Sequence, residues 1–136
     1  MIVIKSPEEL ELMRESSGIL AEMLSELAQE VRAGIRTREL NDIVERKMRE
    51  REVTASFKGY GGFPASVCVS VNDELVHWIP GDRIIREGDI VSLDLGVYHR
   101  GLHSDAAVTV PVGEVSPMAG RLIETTGEAL REGIKE

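Results

Sequence analysis

Apolar positions recur at alternating steps of three and four along the first part of the chain. Leu10, Met13, Ser17, Leu20, Leu24, Leu27 and Val31 form one stripe, the spacing of an amphipathic helix. Ser6-Pro7-Glu8-Glu9 precedes the stripe: a capping serine, a proline at the first helical position and a glutamate three after the cap predict the helix start. Gly34 is the expected stop. Thr37 is placed to cap a second helix, in which Leu40, Ile43, Val44 and Met48 repeat the pattern and Glu39, Asp42, Glu45, Arg46 and Lys47 face mostly outward.

After Val53 the periodicity shortens. Gly59-Tyr60-Gly61-Gly62-Phe63-Pro64 reads as a glycine-rich loop and Ala65 to Val71 as a strand. Asn72-Asp73-Glu74 forms a turn, Leu75 to Pro80 follows, and Pro80-Gly81-Asp82 turns again. From Ile90 to Val97, residues alternate: Val91, Leu93, Leu95 and Val97 share one face, and Ser92, Asp94 and Gly96 share the other. The return strand runs from Leu102 to Val112. Ser116-Pro117 opens a last helix with Met118, Leu122, Thr126, Ala129, Leu130 and Ile134 expected on its inner side. No capping glycine or asparagine precedes the end at Lys135-Glu136, which reads as a stop in mid-architecture.

The hairpin between the last two strands carries the first chemical signal. If His99 and Arg100 are its two loop residues, Asp94 lies directly across from Asp105, with Cβ atoms about 4.5–5.5 Å apart. Two like charges so close are unfavourable unless one is protonated or a cation lies between them, and a divalent metal is the simplest resolution. The alternative is a pair of solvent-facing carboxylates on a strand edge.

Composition narrows the partners. The chain has 136 residues, 42% hydrophobic and 29% charged, which fits one ordinary domain spanning 1–136 with a real core. A formal charge of −8 argues against nucleic acid or an anionic membrane as partner. No apolar run approaches a membrane span, and Met1-Ile2-Val3-Ile4-Lys5 shows no secretion signal, so a cytoplasmic location is expected. Cys68 is the only cysteine, which rules out an internal disulfide or a cysteine metal cluster. Any metal is therefore held by oxygen or imidazole.

The stretch Gly59-Tyr60-Gly61-Gly62-Phe63-Pro64-Ala65-Ser66-Val67-Cys68-Val69-Ser70-Val71-Asn72-Asp73-Glu74-Leu75-Val76-His77, completed by Asp94 and Asp105, resembles the signature of bacterial type I methionine aminopeptidases. The type I assignment rests on Phe63 to Val71. The resemblance spans essentially the whole chain and implies an α+β fold: half of a pita-bread architecture, a curved antiparallel sheet backed by helices, corresponding to the N-terminal half only. It implies removal of N-terminal methionine from peptides and nascent proteins by two divalent ions, for which a mostly carboxylate site suits Mn, Fe or Co.

Carried onto this sequence, the family's metal ligands match Asp94 and Asp105, and its histidine near the scissile bond matches His77. The methionine pocket matches Tyr60, Phe63 and Cys68. A further histidine and two glutamates belong to the family's second half. The resemblance thus implies a homodimer or a complementing half for activity, the other reading being an inactive half-domain that self-associates or binds peptide. His103, on the Asp105 side by alternation, is a weaker extra ligand candidate, and His99 falls in the proposed loop. The family reads His-Gly-Ile-Pro where this chain has His77-Trp78-Ile79-Pro80. If that position requires positive φ, the tryptophan costs about 1–2 kcal/mol or the loop moves.

Overall fold

The computed structural model describes residues 4–136, so the N-terminal reading at Met1 to Val3 lies outside it. Helix α1 spans Pro7–Glu30 and begins as expected: Glu9 N–H donates to Ser6 Oγ at 3.2 Å and Ser6 N–H to Glu9 Oε2 at 2.8 Å. It ends before Gly34, which turns the chain at φ +92°. Its buried face runs through Ser16, Leu20, Met23, Leu24 and Leu27, whereas Leu10 and Ser17 from the expected stripe are exposed.

Helix α2 spans Thr37–Glu50. Thr37 is its first helical residue and not its cap; the cap is Arg36, whose N–H donates to Glu39 Oε2 at 2.8 Å. The Thr37 hydroxyl is engaged instead with the Pro80-Gly81 turn, accepting from Gly81 N–H at 2.8 Å. That contact ties the start of α2 to the segment leading away from His77.

One antiparallel sheet contains β1 (Thr54–Ala55), β2 (Val67–Val71), β3 (Ile90–His99) and β4 (Leu102–Pro111). β1 and β2 pair with successive stretches of one edge of β3, and β4 pairs with the other. The register places Val67, Val69 and Val71 beside Leu95, Leu93 and Val91, with Val108 and Val110 continuing the row on β4. This apolar face meets Leu20, Met23, Leu27, Leu40, Val44 and Met48 of the two helices, and together they form the core. Ile85, fully buried, closes the core from the loop after Pro80 and exchanges backbone hydrogen bonds with Gly34 and Ile35.

The opposite face of the sheet carries Cys68 and Ser70, then Ser92, Asp94 and Gly96, then Asp105, Ala107 and Thr109. No helix packs there among the described residues: α1 and α2 lie on the core side, and α3 (Pro117–Lys135) touches β4 only slightly. α3 starts at its expected cap, with Ala119 N–H donating to Ser116 Oγ at 3.2 Å. Its apolar stripe is not an inner face. Met118, Leu122, Leu130 and Ile134 are 81%, 58%, 63% and 74% exposed, and Thr126 and Ala129 are exposed with them. No described residue of α3 is buried, because nothing among the described residues covers that side.

Candidate active site

The hairpin differs from its sequence reading by one position. His99 pairs with Leu102, so the two loop residues are Arg100 and Gly101, at φ +49° and +92°. A type I′ loop, one of the two that follow the strand twist, needs positive φ at both positions; Gly101 meets that demand at no steric cost and His99 would not. Asp94 therefore stands opposite Ala107, and Asp105 opposite Gly96. The two aspartates share a face as diagonal neighbours, about 7–8 Å apart between Cα atoms and not directly opposed.

A cleft of about 570 Å³ opens over this diagonal. It brings together Tyr60, Phe63, Cys68, His77, Asp94 and Asp105, all six residues singled out from the sequence. Phe57, Pro64 and Ile79 complete its apolar wall and were not anticipated. The sequence did hold a signal for Phe57, one of two phenylalanines in the chain, in the glycine at position 96. A Cβ at Gly96 would stand 2.8 Å from the Phe57 ring and 2.8 Å from Ser56 Cβ. The missing side chain admits the 56–57 segment against β3, where Ser56 N–H donates to the Gly96 carbonyl at 3.0 Å.

The glycine-rich segment forms a tight turn over the cleft. Gly59 N–H donates to the Phe63 carbonyl at 2.8 Å and Phe63 N–H to the Tyr60 carbonyl at 2.9 Å. Gly59 and Gly62, at φ +89° and +84°, take conformations that a side chain would disfavour. The turn leaves Tyr60 84% exposed at the rim and Phe63 partly buried within.

At the floor, Cys68 lies directly across the β2–β3 ladder from Asp94 and is buried. Burial, with the charges of Asp94 and Asp105 adding to it, pushes the Cys68 thiol up to about 11, so it is a neutral wall group and not a nucleophile. Asp94 is held above the usual carboxylate range, by burial first and then by Asp105, with His77 opposing. Its Oδ1 is buried without a hydrogen-bond partner. An unpartnered buried carboxylate oxygen is costly unless something positive fills its coordination.

That orphaned oxygen beside a second carboxylate fits a divalent cation, and the donor chemistry suits a hard ion. The fit is partial. Among the described residues no group of three or more His, Cys, Asp or Glu side chains is arranged to hold a metal, whereas such ions gather about six oxygen ligands. His103 does not extend the set: its Nδ1 is 2.9 Å from Ser56 Oγ and its ring sits 4.7 Å from that of Tyr98, outside the cleft lining. His99 is at the end of β3, outside the loop, with Nε2 3.2 Å from Glu15 Oε1 of α1.

Trp78 does not carry the positive φ anticipated for it. The left-handed residues are Val76 and His77, at +23° and +53°, and the Trp78 carbonyl accepts from Val69 N–H at 3.1 Å. The tryptophan is half-exposed outside the cleft lining, while its neighbours His77 and Ile79 line it.

Comparison with known proteins decides the lineage. The sequence pattern of metallopeptidase family M24 matches residues 11–136. The chain belongs to this family. Methionine aminopeptidase 1 of Bacillus subtilis is 47% identical over all 136 residues, which cover 55% of that protein, and the methionine aminopeptidase of Clostridium perfringens is 46% identical over the same share. Among solved structures, the methionine aminopeptidase of Thermotoga maritima superposes with a TM-score of 0.96 at 39% identity, covering 99% of this chain and 55% of that one. An Xaa-Pro dipeptidase from Bacillus anthracis superposes less closely, with a TM-score of 0.75 at 27% identity, covering 87% of this chain and 32% of that one. The fold is thus half of the pita-bread architecture, and the chain corresponds to the N-terminal half of a methionine aminopeptidase. It spans about half the length of the relatives it matches.

Proposed function

We infer that the chain supplies the substrate cleft and part of the metal site of an enzyme that removes N-terminal methionine from peptides and nascent proteins. The observation that carries this reading is the convergence of an apolar pocket, a histidine and an unpartnered buried carboxylate in one cleft. Phe57, Phe63, Cys68 and Ile79 offer an unbranched thioether side chain a water-poor wall. His77, which lines the same cleft, would hold the substrate amide by a hydrogen bond. Asp94 and Asp105 would hold divalent metal, which when bound supplies a polarised carbonyl and an activated water; Mn, Fe or Co suits such ligands.

Two carboxylates fall short of the roughly six oxygen ligands a hard ion gathers, so activity requires ligands from a complementing half or a second copy of this chain. The exposed stripe of α3 supports a homodimer, because apolar surface of that extent favours association. One domain over 1–136 and a cytoplasmic setting fit the same reading, and no helix among the described residues is long and apolar enough to cross a membrane.

The incomplete ligand set favours one other reading, an inactive half-domain that binds peptide without cleaving it. Incubation with a Met-Ala peptide in the presence of Mn²⁺ or Co²⁺ separates the two. Metal-dependent release of methionine supports the enzyme; saturable binding without release supports the inactive module.

A further inference from the structure

His77 sits on an arch, Leu75 to Ile79, whose side chains cannot hold it in place. Leu75, Val76, Trp78 and Ile79 are each half or more exposed, and no hydrogen bond among the described residues engages the His77 ring. Yet the arch keeps two consecutive residues in the left-handed region, Val76 at φ +23° and His77 at +53°. Such conformations are unfavourable for residues with a Cβ, most of all a β-branched one, and persist only where the surroundings impose them.

The surroundings that impose them are at the two ends. At the far end, Val69 N–H donates to the Trp78 carbonyl at 3.1 Å, stapling the arch to the edge of β2. At the near end stands Glu74, whose side chain is only 10% exposed. Its Oε2 accepts from Val71 N–H at 2.8 Å, and its Oε1 accepts from the Arg83 guanidinium. Arg83 is itself anchored, since its carbonyl accepts from Thr37 N–H at 3.0 Å at the start of α2. A continuous path therefore runs from the body of the fold through Arg83 and Glu74 to the histidine.

We propose that Glu74 is a positioning residue: its ion pair with Arg83 clamps the start of the arch, holds Val76 and His77 in the left-handed conformation and so aims His77 into the cleft. The proposal rests on the reading of His77 as the group that meets the substrate amide. Its test uses neither metal nor substrate, so its failure and the failure of that reading are distinguishable. The ion pair is charge-assisted; Glu74 is its shielded partner and Arg83 its exposed one, so replacing Arg83 leaves a nearly buried carboxylate without its counter-charge.

Two variants of this chain, Glu74→Gln and Arg83→Met, are compared with the parent by NMR and amide hydrogen exchange. A residue at φ near +50° shows an intraresidue HN–Hα cross-peak stronger than an extended or helical residue gives. The expected result in both variants is loss of that signature at His77 and at least tenfold faster exchange of the Val69 amide, with the Leu93 and Leu95 amides of β3 protected as before. If Glu74→Gln unfolds the chain, Arg83→Met carries the same reading, because it leaves the Val71 to Glu74 hydrogen bond intact. Retention of the His77 signature and of Val69 protection in a folded variant overturns the proposal. Parallel loss of Leu93 and Leu95 protection in both variants overturns it too, since Glu74 would then be a support of the whole fold and not of the arch.

Discussion

Gly96 stands directly across the β3–β4 ladder from Asp105, and the Phe57 ring occupies the space that a side chain at position 96 would take. The glycine thus does two things at once: it gives the cleft its Phe57 wall and keeps the floor beside Asp105 unobstructed. Gly96→Ala forces a methyl group to 2.8 Å from the ring and from Ser56 Cβ. Overpacking of this kind costs about 1–3 kcal/mol. Urea unfolding should show a lower midpoint with an unchanged slope, and the displacement of Phe57 should weaken binding of a methionine-containing ligand.

Cys68 should be an unreactive thiol. With its pKa pushed up to about 11 by burial and by the two aspartates, the thiolate fraction at pH 7 is on the order of one in ten thousand, about three hundredfold below that of a free cysteine. Alkylation by iodoacetamide should be at least that much slower in the folded protein than in denaturant. Equal rates in the two states would contradict the buried position.

Glu45 links α2 to the segment entering β2. It accepts from Lys58 Nζ at 2.5 Å, from Ser66 Oγ at 3.2 Å and from Asn41 Nδ2 at 3.3 Å. The Lys58 hydrogen bond, ahead of the opposing effect of burial, holds its carboxyl below the usual range. A depressed folded pKa means stability that is present above the unfolded carboxylate value and lost as pH falls through the folded one. Glu45→Gln should therefore cost about 0.5–1 kcal/mol at pH 7 and next to nothing near pH 2. Denaturant midpoints measured at both pH values check the sign.

The α3 stripe should govern association. Leu122→Glu combined with Leu130→Glu places charge on a face whose apolar residues are already exposed, so helix content should change little. Light scattering should show the parent at twice the 15.0 kDa chain mass and the double variant at the single mass. A parent that is monomeric at tens of micromolar would remove the support for the homodimer.

Legibility in the sequence followed the reach of the interactions. The start of α1 was legible because Ser6 and Glu9 satisfy each other locally, and β3 because its alternation marks two faces. The hairpin was misplaced by one residue because Arg100-Gly101 and His99-Arg100 both look like loops until the positive φ at Gly101 is considered. The cap of α2 was misplaced for a different reason: the Thr37 hydroxyl finds its partner at Gly81, 44 residues away. The stripe of α3 follows helical periodicity correctly, yet periodicity says nothing of whether a partner covers it. In the site, Asp94 and Asp105 were legible from the hairpin, and Tyr60, Phe63, Cys68 and His77 through a family motif; Gly96 signalled a close approach without naming Phe57, and Ile79 enters the cleft through packing that no local pattern announces.

Whether Asp94 and Asp105 hold metal is decided by calorimetric titration of metal-free protein with Mn²⁺, repeated on Asp94→Asn with the mass of the titrated species measured alongside. The parent should bind saturably, at the mass of an associated species, and the variant at least tenfold more weakly, since loss of a ligand costs no less than the ten- to hundredfold typical of outer-sphere changes. Equal affinity in parent and variant, or no binding by a well-folded associated parent, would contradict a metal-binding role for the two aspartates.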